Sequence, residues 1–229
     1  MFRPSGGCKL IMEVLQLKEN IDTELLVAQK FSEGMTYGEF RNLLSDLSAK
    51  GMTSGIEQKE SLINYTELNN KRLKRWDKTF NISEKAGKKI NEVRRRINWL
   101  VLTESWCGDA APTMPVMNKI AELNPNIRLR ILLRDEHPDL MERFRTEGAL
   151  SIPKLISTEV ASGHILGQWG PRPSSATKLV ADYKKRNGSL TAEFAEDLQR
   201  WYNMDKGKNT MDDLLDLLTL KDIGNRANL

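Results

Sequence analysis

The stretch that decides the fold is Trp99–Pro115, which reads WLVLTESWCGDAAPTMP. Its first residues form an apolar run of strand length, and apolar residues at helical spacing follow from Pro112 onward. The pattern predicts a strand, then an aromatic residue and Cys107, then a helix that begins within one residue of Cys107. At such a position backbone N–H groups and the positive end of the helix dipole stabilise a thiolate.

Strand and helix signals alternate downstream of this stretch. Apolar periodicity and turn residues predict a strand at 99–103 and then, in order, a helix at 112–123, a strand at 127–133, a helix at 138–145, two hairpin strands at 154–157 and 164–169, and a helix at 175–185. The order β-α-β-α-β-β-α predicts an α/β fold with a mixed central sheet. A parallel pair of strands is joined to an antiparallel pair, with helices on both faces.

The regions on either side of this α/β unit lack strand signals and are predicted to be helical. Thr36 and Glu39 have the spacing of a capping box, and Thr210 is predicted to cap the last helix. An apolar stripe through Leu62, Tyr65, Leu68, Leu73 and Trp76 is expected to pack on the core. The predicted organisation is a flexible tail at 1–11, a helical region at 12–97, the α/β domain at 98–188 and C-terminal helices at 189–229.

Composition excludes several classes of protein. Hydrophobic residues make up 39% and charged residues 29% of the 229 residues, which is ordinary for a soluble globular chain. The sequence contains neither an apolar run long enough to cross a membrane nor an apolar stretch typical of a signal peptide. Two cysteines and two histidines suggest neither a metal cluster nor a disulfide scaffold. We therefore expect a cytoplasmic protein without a metal or an organic cofactor.

Three features of the sequence resemble the thioredoxin family. Trp106-Cys107-Gly108 matches the start of the family motif Trp-Cys-Gly-Pro-Cys, and Pro115 matches the proline that kinks the following helix. Ser151-Ile152-Pro153 precedes the predicted hairpin and matches the family's cis-proline loop. The resemblance covers residues 99–187 and implies a thioredoxin-like fold with helical extensions at both ends.

The resemblance also implies a substrate groove. In that fold the cis-proline loop packs beside the reactive cysteine, so the Ile152 backbone is expected to pair with an extended substrate. Pro153 shapes the groove, and Trp106 and Gly108 flank it. The wider pattern Thr-Glu-Ser-Trp-Cys-Gly-Asp-Ala, with Trp169–Pro173 further on, looks like a bacterial single-cysteine subgroup that carries an N-terminal helical extension.

The departures from the family pattern limit the chemistry. Ala110 stands where thioredoxins have the resolving cysteine, and Val101 stands where they have a buried aspartate that assists proton transfer. Cys107 therefore cannot close a Cys-X-X-Cys disulfide, and only monothiol exchange remains possible. Glu104 or Asp109 is the candidate for handling protons. Asp109 has an alternative interpretation as an ordinary acid in the first helical turn.

Three functional hypotheses follow. The first is a monothiol oxidoreductase with Cys107 as the nucleophile and a low-molecular-weight thiol or a protein disulfide as substrate. The second is a non-catalytic binding or adaptor module on a thioredoxin scaffold. The third is nucleic-acid contact through a basic helix at 71–96, which holds eleven Lys or Arg against three acidic residues. This third hypothesis ranks lowest, because charge runs more often form a solvated face.

Overall fold

The computed structural model describes the chain from Gly6 to Thr219, with the side chains of Met12 and of the residues from Val14 onward. Four helices precede the sheet: α1 (Gly6–Glu33), α2 (Tyr37–Ala49), α3 (Glu60–Thr79) and α4 (Glu84–Asn91). The capping box predicted at the start of α2 is confirmed. Thr36 Oγ1 accepts a hydrogen bond from Glu39 N at 3.2 Å, and Thr36 N donates to Glu39 Oε2 at 2.7 Å.

The sheet has four strands: β1 (Ile97–Thr103), β2 (Ile127–Leu133), β3 (Lys154–Glu159) and β4 (Ile165–Trp169). Their spatial order is β2-β1-β3-β4. β1 and β2 are parallel, whereas β3 is antiparallel to both β1 and β4. The predicted junction of a parallel and an antiparallel pair is therefore confirmed. Six of the seven residues of β1 are buried, which explains why this strand reads as an apolar run.

Five helices belong to the sheet domain and to the C-terminal region: α5 (Ala110–Leu123), α6 (Pro138–Arg143), α7 (Ser174–Asn187), α8 (Ala192–Asp205) and α9 (Lys208–Thr219). A short 3₁₀ turn at Arg134–Glu136 lies between β2 and α6. Among these helices, α9 contributes Leu214, Leu215, Leu217 and Leu218 to the same buried cluster as the sheet. The mixed α/β fold with helical extensions at both ends is thus as predicted.

The N-terminal helices pack on the sheet domain, as expected. Val27, Phe31, Phe40 and Leu44 belong to the buried cluster that contains the sheet residues. Between α1 and α2, the chain also runs beside β2. Met35 and Ile131 exchange two backbone hydrogen bonds of 2.8 Å each. This contact partly pairs the backbone of an edge strand that would otherwise lie open.

Two predicted boundaries in the flanking regions are wrong. The predicted flexible tail already contains the start of α1 at Gly6, because a helix gains one hydrogen bond per residue once it has formed. Residues 1–5 lie outside the described residues. The basic helix predicted to run to 97 ends at Asn91. The interruption that the sequence indicates at Asn81–Ser83 is present, because α3 ends at Thr79 and α4 begins at Glu84.

Thr210 is not an N-cap. α9 begins at Lys208, so that Thr210 lies inside the helix with a buried hydroxyl. Asp213, which was expected to complete a capping box, reaches α7 instead. Its carboxylate accepts hydrogen bonds from Ser174 N at 2.7 Å and from Trp169 Nε1 at 3.2 Å. The capping-box spacing is present in the sequence, but tertiary contacts direct the carboxylate elsewhere.

The predicted apolar stripe of α3 is wrong in its first half. Leu73 and Trp76 are buried, whereas Tyr65 and Leu68 are 43% and 41% exposed. Thr66 and Asn69 occupy the buried face of this half of the helix. Polar residues face inward there because they hydrogen-bond to the loop that follows β1, as described below.

Candidate functional site

The loop between β1 and α5 carries the central residues of the site. β1 ends at Thr103, and α5 begins at Ala110 with Asp109 as its N-cap. Cys107 is therefore three positions before the first helical residue, so the prediction that it lies within one residue of the helix start is wrong. Two turns separate the strand from the helix. Glu104 O accepts from Cys107 N and Cys107 O accepts from Ala110 N, both at 3.2 Å.

Cys107 is a free thiol that is almost completely buried. Its exposed fraction is 6%, and Sγ donates a hydrogen bond to the carbonyl oxygen of Ile152 at 3.3 Å. The Ile152–Pro153 peptide bond is cis. The structure thus brings Cys107 together with the Ile152–Pro153 loop, 45 residues further along the chain.

The electrostatic environment of Cys107 differs from the expected one. Burial, with a smaller contribution from the neighbouring Asp109 carboxylate, raises the pKa of the thiol to about 12. The backbone N–H groups of Ala110 and Asp109 and the Arg172 guanidinium lower the pKa, but by less. The expectation of a stabilised thiolate is therefore wrong for the unliganded site, because loss of hydration outweighs the helix start.

Asp109 occupies the N-cap position, but its side chain does not cap the helix. Its Oδ2 atom forms a 2.7 Å ion pair with Nη2 of Arg172, and its Oδ1 atom accepts a 3.0 Å hydrogen bond from the Tyr202 hydroxyl. Burial raises the pKa of the carboxyl group, while Arg172 and Tyr202 oppose this shift. Asp109 is therefore a member of a buried polar network beside the thiol, and not an ordinary first-turn acid.

Sequence reasoning missed both partners of Asp109. Arg172 follows the Gly170–Pro171 bond, which is also cis, and Tyr202 comes from α8. The loop around Arg172 lies against the loop of Pro153. A Cβ atom on Gly170, where φ is +113°, would come within 2.1 Å of the Pro153 carbonyl oxygen. The Gly-Pro-Arg-Pro pattern was visible in the sequence, but nothing in it pointed to Asp109.

Glu104 does not lie at the thiol. Its Oε1 atom accepts a 2.9 Å hydrogen bond from Asp135 N, and its Oε2 atom accepts one from the Ser54 hydroxyl. Burial raises the pKa of this carboxyl group as well. Both oxygens therefore hold neighbouring chain segments to the loop, so Glu104 has a structural role rather than the proton-handling role considered for it.

Above Cys107 lies a cleft of about 700 Å³. Its floor contains the predicted site residues Trp106, Cys107, Gly108, Asp109 and Ile152. Pro153 is buried and is not among the residues that line the cleft. Helix α3 forms one wall and helix α8, with the segment before it, forms the other, through Leu62, Tyr65, Leu68, Arg72, Leu190, Phe194, Leu198 and Gln199.

Both walls are attached to the floor by hydrogen bonds. Asn69 Nδ2 of α3 donates to Ser105 O at 3.0 Å, and Gln199 Nε2 of α8 donates to Gly108 O at 3.2 Å. Trp106 is held from outside the cleft, because the Arg134 guanidinium lies 4.9 Å from the centre of its indole ring. The two helical extensions therefore turn the surface around the cysteine into a cleft that is open to solvent on one side.

These features define a thioredoxin-fold protein with a free cysteine, Cys107, in the loop between β1 and α5. A family model described as thioredoxin matches residues 55–184, which is more than half of the chain. The chain belongs to the thioredoxin family. The match begins before α3, so the family region includes the helix that forms one wall of the cleft.

Solved structures share this fold. A Pseudomonas aeruginosa protein of unknown function aligns at a TM-score of 0.58 and 17% identity, covering 83% of this chain and 95% of its own. An HIV epitope-scaffold aligns at a TM-score of 0.56 and 18% identity, covering 83% of this chain and 96% of its own. At these identities the likeness concerns the fold alone. No curated protein sequence matches this chain significantly. Among the described residues, no helix is long and apolar enough to span a bilayer.

Proposed function

We propose that this protein carries out monothiol thiol–disulfide exchange through Cys107, without a resolving cysteine. The observation that carries the proposal is the position of Cys107 Sγ, on the floor of the cleft and 3.3 Å from the carbonyl oxygen of Ile152. The Thr-Glu-Ser-Trp-Cys-Gly-Asp-Ala motif suggests a bacterial single-cysteine subgroup of the family. A free thiol also suits a reducing compartment, and we place the protein in the cytoplasm.

The exchange takes place in two steps. In the first, the thiolate of Cys107 attacks one sulfur of a disulfide, so that a bond forms between Cys107 and that half of the substrate. The substrate disulfide breaks, and its other half leaves as a thiolate that takes up a proton. In the second step, the thiolate of an external thiol attacks the mixed disulfide and releases Cys107. Ala110 supplies no second thiol, so this external thiol is required.

We assign to Asp109 the role of accepting the proton of the Cys107 thiol. Among the charged groups near the thiol, the Asp109 carboxylate has the largest effect on its pKa. Arg172 and Tyr202 hold this carboxylate in place. Since burial raises the pKa of the Asp109 carboxyl group, this carboxylate accepts a proton more readily than an exposed one would. Asp109 thus takes the part of the buried aspartate that Val101 replaces.

A binding module without turnover is the second candidate function. The specific observation in its favour is the pKa of Cys107, which burial raises to about 12. Such a thiol is almost entirely protonated at neutral pH and reacts slowly. The nucleic-acid hypothesis has no comparable support, since the basic residues at 71–96 do not lie on one continuous helix.

Mass spectrometry after incubation with bis(2-hydroxyethyl) disulfide separates the two candidates. In a Cys8→Ser background, where Cys107 is the remaining cysteine of the sequence, we expect the protein to gain one hydroxyethylthio group and to lose it again when an external thiol is added. Adding Cys107→Ser to this background should abolish the modification. If the folded wild-type protein is not modified at Cys107, the exchange proposal is wrong and the binding module remains.

A further inference from the structure

Arg72 is the one charged side chain lining the cleft that has no charged partner in the described part of the chain. Asp109 pairs with Arg172 at 2.7 Å, and Glu196 lies 3.6 Å from Arg200. The side-chain contact of Arg72 is a 3.4 Å hydrogen bond from Nη1 to Oδ1 of Asn69. A guanidinium has five N–H donors in a planar fork, so most of its donors are available to a ligand.

The surroundings of Arg72 favour binding of an anion. The side chain is partly buried on the wall formed by α3, and burial lowers its pKa. A guanidinium that loses hydration without gaining a carboxylate is unfavourable, and a bound carboxylate would remove that penalty through paired hydrogen bonds. Tyr65 and Leu68 line the same wall, so a ligand bound there would also contact apolar surface.

The dimensions of the cleft limit the size of the ligand. A volume of about 700 Å³ lies within the range typical of small-molecule sites. Helices α3 and α8 are hydrogen-bonded to the cysteine loop on opposite sides, and only 6% of Cys107 is exposed. Access to Sγ is therefore easier for a small, flexible disulfide than for one that is flanked by folded chain on both sides.

On these grounds we propose that the disulfide substrate is a small molecule of peptide size that bears a carboxylate, with Arg72 binding the carboxylate while the disulfide meets Cys107 Sγ. This inference rests on the proposed function and names its substrate class. In the reaction one half of the disulfide becomes bonded to Cys107, and the other half leaves as a thiol of the same class. The thiolate of a different external thiol then attacks the substrate sulfur of the mixed disulfide. Cys107 is released, and the retained half leaves as a disulfide with that external thiol.

Two disulfides of different charge test the role of Arg72. Glutathione disulfide carries carboxylates, whereas bis(2-hydroxyethyl) disulfide is neutral. We expect Arg72→Gln to lower the second-order rate constant for modification of Cys107 by glutathione disulfide at least about tenfold, as expected for a charge-assisted contact. The rate constant with the neutral disulfide serves as an internal reference, because any change in the thiol pKa affects both reactions.

Lys74→Gln is the matched control, since it removes one positive charge from an exposed position on the same helix. It should leave the ratio of the two rate constants unchanged. The proposal is overturned if Arg72→Gln and Lys74→Gln change that ratio equally. It is also overturned if the disulfides of native insulin react with Cys107 as fast as glutathione disulfide does.

A binding measurement keeps this inference separate from the exchange reaction. S-methylglutathione carries the same carboxylates but cannot form a disulfide. In titration calorimetry we expect it to bind the wild-type protein and Lys74→Gln, and to bind Arg72→Gln at least about tenfold more weakly. If binding follows this pattern while no disulfide modifies Cys107, the exchange function fails and the carboxylate site stands. Equal affinity in all three proteins would refute the site.

Discussion

At the scale of single residues, Cys107 is governed by two opposing effects. The helix start and two backbone N–H groups favour the thiolate, whereas burial and the Asp109 carboxylate favour the protonated thiol. Burial is the larger effect, which is why the pKa rises. Of the effects on the pKa of Cys107, the charge of Asp109 can be removed without changing the packing of the site, because asparagine has nearly the same shape.

Asp109→Asn is expected to lower the pKa of Cys107. The substitution removes a negative charge beside the thiol and leaves the positive charge of Arg172 without its partner. Alkylation by iodoacetamide is slow compared with proton exchange, so its rate reports the fraction of thiolate. At about pH 8 the variant should react at least about threefold faster than the wild-type protein.

Glu104→Gln provides the control for this change. It is also a buried carboxylate replaced by its amide, but its oxygens contact Ser54 and Asp135 and do not perturb the thiol. Its alkylation rate should match that of the wild-type protein, provided that circular dichroism shows a native fold. Equal acceleration in both variants would mean that loosening of the loop, and not the charge of Asp109, controls the thiol.

At the scale of elements, a buried cluster of hydroxyl groups joins α3 and the segment before it to the cysteine loop. The Ser105 hydroxyl lies 2.8 Å from that of Thr66 and 3.1 Å from that of Thr53. Ser54 N donates to Ser105 Oγ at 2.9 Å, and Ser105 N donates to Ser54 Oγ at 2.8 Å. Together with Glu104, these contacts make Glu104 and Ser105 the attachment point of the N-terminal helices.

Ser105→Ala should therefore lower the free energy of unfolding by about 1–3 kcal/mol, because it leaves Ser54 N–H buried without an acceptor. Ser157→Ala is the matched comparison. Ser157 is fully buried in β3, but its hydroxyl has no hydrogen-bond partner among the residues that the structure describes. Its removal should therefore be neutral or stabilising. Urea unfolding of the three proteins measures both values. Equal losses in the two variants would contradict the role assigned to the hydroxyl cluster.

At the scale of the whole molecule, burial of Cys107 links the stability of the fold to pH. An unfolded chain releases the thiol proton near pH 9, whereas the folded protein holds it until about pH 12. Above the first of these values the unfolded state binds fewer protons than the folded state. The contribution of Cys107 to stability is therefore fully present below pH 9 and is lost as the pH rises toward 12.

Cys107→Ala removes this contribution. We expect the free energy of unfolding of the wild-type protein to fall more steeply than that of the variant between about pH 8.5 and about pH 10.5. Urea unfolding across this range measures how steeply the free energy of unfolding of each protein changes with pH. The difference in slope does not depend on the pH-independent loss of stability caused by the smaller alanine side chain. Parallel curves would show that the thiol titrates normally in the folded protein.

Much of the fold could be predicted from the sequence, because its signals are local. The apolar run of β1, the alternation in β2 and the proline and glycine residues between them depend only on near neighbours along the chain. The residues 127–133 of β2 were predicted without error. The spacing from Cys107 to Pro153 likewise reflects the number of residues needed to build the intervening elements. The sequence by itself therefore determined the sheet, its order of elements and the residues on the floor of the cleft.

Only the tertiary structure decided the chemical state of the site. Tyr202 reaches Asp109 from 93 residues away, and Gln199 reaches Gly108 from 91 residues away. The pKa of Cys107 depends on how completely the surrounding chain buries the thiol. No local sequence pattern encodes this burial or the contacts between residues that are so far apart in the sequence. For the same reason Tyr65 and Leu68 were predicted to lie in the core, although they line the cleft. Helical periodicity indicates which residues share a face, whereas the packing of distant segments decides what that face meets.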